Sequence, residues 1–333
     1  MKIVIADYPD SMMPTHELEK KILISGLGSD TNIVIFEYSD NKREEFFRVI
    51  RDADAILTAF TKIDSEVMDH APKLKVISIN ATGYDNVDLE EANKRKIGVC
   101  PVGEYCTEDV AEFTITTSLA MVKNLKSYIY DIDKNKQWRY DYVNPNPRIA
   151  DLTIGICGFG KIGTRVAQKA KALGMKVIAT DPFTNNKLED VELVTKEELF
   201  ANADIITNNM NLNETNHSYF NYDAFKLMEK KPYLINMGRG ACVVERDLLQ
   251  ALDEKLLKGA ALDVLSDETP DLEKNQLVGR SNVLITPHVA FYSTSSLEDL
   301  QRISTENIVN YLTGQKQKVF RNCQIFCVNR SFS

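Results

Sequence analysis

Three side chains suited to polar chemistry each follow a short apolar run. His288 comes just after Val283–Ile285, Arg239 just after Tyr233–Asn236, and Glu268 six residues after Gly259–Leu262. An imidazole can hand over a proton near neutral pH, and a guanidinium can grip a carboxylate through two parallel N–H bonds. Of the four histidines, His16 and His70 fall in helical patterns and His217 in an Asn-rich polar stretch, which leaves His288 as the one at a strand end. Ligands of open α/β sheets bind at the carboxyl ends of the strands. Gly238 and Gly240 flank Arg239 and would let its backbone approach a ligand closely. Taken singly, each has a plainer reading: a structural hydrogen-bonder for His288, a carbonyl cap for Arg239, a solvated acid beside Asp267 for Glu268. Their shared address weighs against those readings.

A second constellation runs from Thr153 to Gly163, where an apolar run ends and a helical pattern opens around Gly158-x-Gly160-x-x-Gly163. This is the spacing of a dinucleotide-binding turn. The first glycine permits the tight turn, the second lets backbone approach a pyrophosphate, and the third lets helix and strand pack closely. A ligand-free strand–helix turn is the alternative. Asp181 stands 18 residues past Gly163, at the end of the next apolar run, where an acid would meet ribose hydroxyls. A carboxylate there repels a 2′-phosphate, and Lys187 is the nearest following cation. NAD is therefore expected over NADP.

These residues need a scaffold, and the apolar patterning supplies one. Lys2–Ala6, Asn32–Phe36, Ala55–Thr58 and Val76–Ile79 read as buried strands, alternating with helical patterns at Thr15–Leu27, Glu44–Asp52 and Asp64–Ala71. A second series has strands at Leu152–Cys157, Lys176–Thr180, Asp204–Thr207, Tyr233–Asn236, Gly259–Leu262 and Val283–Ile285, with helices such as Lys161–Leu173 and Glu245–Asp253. The alternation predicts two doubly wound parallel sheets of the α/β class. Glu104–Ile132 reads as one long helix, Tyr140–Arg148 as a loop, and Ser293–Leu312 as a second long helix. The two long helices suggest hinges, with the C-terminal tail returning to the first unit.

With 333 residues and 44% apolar content the chain can build two cores. Its net charge of −8, with no basic block, argues against a nucleic-acid surface. No apolar stretch approaches the roughly 20 residues of a membrane span, and the first apolar run, broken by Asp7, is too short for a signal peptide. The six cysteines include Cys323 and Cys327 but no second pair or nearby histidine to complete a zinc set, so no metal is expected. Reduced thiols and a cytoplasmic location follow.

Taken together, these segments resemble the D-isomer-specific 2-hydroxyacid dehydrogenase family over nearly the whole chain. The carriers are the glycine turn at 158–163, Asn236 to Gly240, Gly259 to Asp263 and on to Glu268, and Thr286-Pro287-His288, with Ala81 to Asp88 and Glu108 to Glu112 upstream. The resemblance implies a Rossmann NAD domain at 102–290 and a discontinuous flavodoxin-like substrate domain at 1–101 and 291–333, with a cleft between them, in a homodimer. It implies a hydride exchanged between NAD and a small 2-keto acid. His288 would be the acid/base, Glu268 its orienting partner, and Arg239 the grip on the substrate carboxylate. Gly158, Gly160, Lys161, Ile162, Gly163, Asp181, Met237 and Asp263 would bind the cofactor, Asp263 at the nicotinamide carboxamide. Thr82, Gly83, Tyr105, Phe291 and Tyr292 would line the substrate site. His288 to Ser293 is similar to the D-lactate dehydrogenase subgroup, which makes pyruvate the first choice. Gly83 to Asp88 is equally like glyoxylate and hydroxypyruvate reductases, and Phe291 and Tyr292 have a plain packing role as their alternative. Asn209 and Asn211 depart from the His and Pro that often stand there, and the tail from Cys323 matches no family pattern. Two rivals remain: an NAD(H)-sensing binding protein without turnover, and a hydrolase of the S-adenosylhomocysteine type, whose larger substrate would need insertions this chain lacks.

Overall fold

The computed structural model describes residues 1–184, 187–267 and 270–315; Glu268, Cys323 and Cys327 lie outside them. The described residues form two compact units, Met1–Tyr105 with the residues from Ser293 onward, and Cys106–Tyr292.

The first unit holds β1 (Lys2–Asp7), β2 (Asn32–Glu37), β3 (Ala55–Thr58), β4 (Val76–Ile79) and β5 (Gly98–Pro101), all parallel, in the order β2-β1-β3-β4-β5. This is the flavodoxin-like doubly wound order. Every residue of β3, β4 and β5 is buried, as a parallel sheet covered on both faces requires. β5 is absent from the sequence expectation because Gly98 and Pro101 are poor strand residues. Its place at the sheet edge reconciles them, since an edge strand tolerates proline. The helix Thr294–Leu312 belongs to this unit. Its Ile308 and Tyr311 pack with Ile3, Leu57 and Val76, and Ser78 Oγ donates to the Ser304 carbonyl at 2.7 Å.

The second unit holds β6 (Thr153–Cys157), β7 (Lys176–Thr180), β8 (Val191–Leu193), β9 (Ile205–Asn208), β10 (Tyr233–Asn236), β11 (Gly259–Leu262) and β12 (Val283–Ile285). They form one parallel sheet, β12-β11-β10-β9-β6-β7-β8. The winding reverses at β6, with β7 and β8 on one side and β9 to β12 on the other. A crevice at such a switch point is the ligand address of this architecture. One core cluster gathers Leu199, Phe200, Phe220, Phe225 and Leu248; another gathers Ile115, Val122, Val166 and Ala167.

The long helix expected over Glu104–Ile132 is instead two, Thr107–Val122 and Leu125–Asp133. The chain breaks at Asn124, whose φ of 53° is left-handed. Asparagine adopts that conformation at lower cost than most residues, so neither glycine nor proline was needed to stop the helix.

Candidate active site

β10, β11 and β12 are neighbours in the sheet, so Arg239, Asp263 and His288 leave consecutive strand ends at one edge. The register is fixed by pairing Asn236 with Leu262 and Leu262 with Ile285. Arg239 is partly buried, and its Nη1 donates to the Gly238 carbonyl at 2.9 Å. Its loop is held from beneath by two asparagines, Asn208 and Asn236, both wholly buried. Asn236 Oδ1 accepts from Asn208 Nδ2 at 2.9 Å and from Gly238 N at 3.1 Å, while its Nδ2 donates to the Arg239 carbonyl at 3.1 Å. Met237 is buried at the start of this loop. Glycine 240 is required by close approach, because a β-carbon there would overlap the Leu265 carbonyl.

His288 is exposed and has φ of 53°. A left-handed backbone costs a residue with a side chain about 1–2 kcal/mol, so the surrounding bonds must over-determine it. They come from Asp263. Its main-chain oxygen accepts His288 N at 2.8 Å. Its carboxylate accepts Thr286 Oγ1 at 2.6 Å, Val289 N at 2.9 Å and Ala290 N at 2.8 Å. Phe291 stands edge-on to the imidazole, with ring centres 6.1 Å apart, and Tyr292 stands edge-on to Phe291. Phe291 also packs against the core, whereas Tyr292 is 65% exposed.

The glycine turn fits a dinucleotide. Gly158 has φ of 89°, and a β-carbon there would lie 2.9 Å from the Asn209 and Met210 backbone. At Gly163 a β-carbon would overlap the Gly158 carbonyl, so helix and strand are packed to contact. At Gly160 a β-carbon would meet nothing within 4 Å, which leaves open space in front of the turn. The helix Lys161–Ala172 starts there without a side-chain cap and without an acidic residue in its first turn. Its N–H groups and dipole thus face outward, toward where an anion would sit. Lys161 is exposed and Ile162 half-buried at this end. Asp181 is anchored beside the turn, accepting Phe159 N at 2.7 Å and Phe183 N at 2.9 Å. A carboxylate with two backbone donors still has lone pairs for a diol.

Thr82, Gly83 and Tyr105 belong to the first unit. Thr82 and Gly83 are exposed after β4, with Thr82 Oγ1 donating to the Gly103 carbonyl at 3.0 Å, and Tyr105 is half-buried. The other histidines have structural partners: His16 with Glu19 at 3.1 Å, His70 stacked on Phe47, and His217 with Ser218 at 2.9 Å. Burial pushes the Cys157 thiol far up, and raises Cys242 as well, so neither is poised as a nucleophile. Among the described residues no His, Cys, Asp and Glu cluster could hold a metal. Asn208, Asn236 and Thr286 were not singled out from sequence. The available signal was a polar residue closing an apolar strand, where a buried amide must find partners.

A nucleotide turn on the same sheet edge as an imidazole and a guanidinium defines a class, the dinucleotide-dependent oxidoreductases. A sequence model of the D-isomer specific 2-hydroxyacid dehydrogenase family, NAD binding domain, matches residues 115–290. A glyoxylate reductase of Thermofilum pendens is 33% identical across 92% of this chain and 92% of its own length. One from Thermococcus kodakarensis is 29% identical over 86% and 89%. Among solved structures, a D-lactate dehydrogenase from Aquifex aeolicus, complexed with NAD and lactic acid, superposes with a TM-score of 0.79 at 26% identity, over 97% of this chain and 99% of that one. A D-lactate dehydrogenase from a Sporolactobacillus gives 0.77 at 30% identity, over 95% and 97%. The chain belongs to the D-isomer specific 2-hydroxyacid dehydrogenase family, whose members are NAD-dependent oxidoreductases.

Proposed function

We propose that this chain reduces a small 2-keto acid to its D-2-hydroxy acid, with pyruvate to D-lactate as the first substrate pair and His288 as proton donor. The observation that carries the reading is the delivery of Arg239 and His288 by β10 and β12 to the sheet edge that also bears the glycine turn. NAD, when bound along Gly158 to Gly163, Asp181 and Met237, supplies or takes up the hydride. Arg239 meets the substrate carboxylate with its planar fork and polarises the neighbouring carbonyl. His288 gives its proton to the carbonyl oxygen, and takes one back in the reverse direction. Glu268 is assigned the second ring nitrogen of His288, and the Thr82 and Gly83 backbone a share of the substrate carboxylate. Tyr105 and Tyr292 are the remaining candidates for the substrate lining. Phe291, edge-on to the imidazole, favours a methyl-sized apolar side chain beside the proton donor.

The relatives named glyoxylate reductase, at 33% and 29% identity, favour a second reading in which glyoxylate or hydroxypyruvate is the substrate. Parallel assays of NADH consumption with pyruvate, glyoxylate, hydroxypyruvate, phenylpyruvate and 2-ketoisocaproate separate the two. A highest kcat/KM with pyruvate supports the first; one with glyoxylate or hydroxypyruvate replaces it. NADH binding without turnover of any of the five would favour a sensor.

A homodimer is part of the same proposal. Leu125, Ile129, Ile132, Trp138 and Tyr140 are all exposed on one stretch of the second unit, and an apolar set of this kind calls for a partner surface. Sedimentation of the protein and of Trp138→Ser tests it: a dimer weakened by the substitution is expected, and a monomeric parent would overturn it. Among the described residues no helix is long and apolar enough to cross a membrane, and we place the activity in the cytoplasm.

A further inference from the structure

We propose that Glu245 is a positioning residue that braces the backbone of the Arg239 turn and so aims the guanidinium. Just after Arg239 the chain runs against the segment that follows β11. A β-carbon on Gly240 would overlap the Leu265 carbonyl and lie 2.7 Å from Ser266 N, so backbone meets backbone there. Such a contact has no interlocking side chains and gathers few dispersion contacts, and a directional bond must fix its register. Glu245, the first residue of the helix Glu245–Asp253, supplies that bond. Its Oε1 accepts Ser266 N at 2.7 Å and Ser266 Oγ at 2.6 Å. Its Oε2 accepts Asn275 Nδ2 at 3.2 Å.

The brace is rooted in the core. Asn275 Oδ1 accepts Leu277 N at 2.9 Å, and Leu277, 2% exposed, belongs to the cluster of Phe220 and Leu248. A second set of bonds holds the same turn: the Ala241 and Cys242 carbonyls accept Ser218 N and Phe220 N, each at 2.9 Å. Asn208 and Asn236 thus fix the turn before Arg239, residues 218–220 fix its backbone after Arg239, and Glu245 ties it to the segment after β11. An ionised acceptor makes shorter and stronger bonds than a neutral one, which suits a carboxylate to this task. Without it, residues 240–244 keep their bonds to 218–220 but can shift along the Leu265 carbonyl. Arg239 would then keep its charge and lose its placement, to which a planar fork is more sensitive than a point charge.

The inference rests on Arg239 gripping the substrate carboxylate, and the test separates the two. Glu245→Ala is expected to lower kcat/KM for the preferred keto acid at least about tenfold, mostly through KM. Its NADH dissociation constant, read by fluorescence titration, should stay within about twofold of the parent's. Glu245→Gln keeps an acceptor for Ser266 N but sets its NH₂ against Asn275 Nδ2, so it should recover part of the loss. Ser266→Ala removes only the hydroxyl of an exposed residue and should raise KM by a smaller factor. Placement matters less once the fork is gone, so in an Arg239→Lys background the Glu245→Ala factor should shrink to about threefold or less. The same factor in both backgrounds would overturn the brace, as would parental KM in Glu245→Ala. Amide exchange needs no activity. The amides of Cys242 and Val243, bonded within the turn, should exchange faster in Glu245→Ala, and parental exchange there would also overturn the brace. If Arg239→Lys alone kept the parental KM, the carboxylate-grip reading would fail while amide exchange still judged the brace.

Discussion

Gly160→Ala isolates the cofactor turn from the stability of the fold. Gly160 has φ −75° and ψ −157°, an extended backbone that alanine adopts, and the added methyl meets no protein atom within 4 Å. Its cost to folding is confined to a poorer N-cap on the helix Lys161–Ala172, up to about 1 kcal/mol. In a unit of this size that lowers Tm by about 2–4 °C. The methyl does, however, occupy the space through which a pyrophosphate would reach the backbone. Overpacking typically costs about 1–3 kcal/mol, which corresponds to NADH binding weakened about 5- to 150-fold. Gly163→Ala is the contrasting case. Its methyl would overlap the Gly158 carbonyl, so the turn must move, and both Tm and NADH affinity should fall. Titration of NADH fluorescence with thermal unfolding by circular dichroism reads both quantities. Gly160→Ala with parental NADH affinity would refute the assignment of this turn to the cofactor.

Two further predictions concern the scaffold. Asn236→Leu removes the acceptor of Asn208 Nδ2 and Gly238 N in a wholly buried site; at about 1–3 kcal/mol per orphaned donor, the loss should be about 2–6 kcal/mol by denaturant titration, with a raised KM for the keto acid because the Arg239 loop loosens. Glu108 links its own helix to Lys161–Ala172, and its bonds to Arg165 and then Lys169 hold its carboxyl down to about 2 from an ordinary 4.5. A depressed folded pKa means stability present above about pH 4.5 and lost as pH falls toward 2. Because Glu108 is about half exposed, Glu108→Gln should cost no more than about 1 kcal/mol at neutral pH, a difference that shrinks in acid and in high salt.

The parallel sheets were legible because their central strands are buried on both faces and read as unbroken apolar runs bounded by polar residues. β8 escaped notice since two of its three residues are exposed, leaving only a short edge strand with no alternation to see. The break at Asn124 escaped because a left-handed asparagine leaves no glycine or proline as a marker. At the site, the residues that bear chemistry could be picked out by type and by their place after strands. Their support could not. Asp263 is named by the resemblance, but nothing in the sequence says that the loop after β12 folds onto its carboxylate, and the left-handed backbone of His288 has no trace in residue type. Such features arise from neighbouring strands separated by more than 20 residues, and only the sheet order brings them together.

The most direct measurement is the kcat of His288→Gln with the preferred keto acid, taken together with its NADH dissociation constant. Positioned acid catalysis contributes about 10²- to 10⁴-fold, so turnover should fall by that factor while NADH binds as in the parent. Near-parental turnover in a folded, NADH-binding variant would remove His288 from the reaction and, with it, the proposed mechanism.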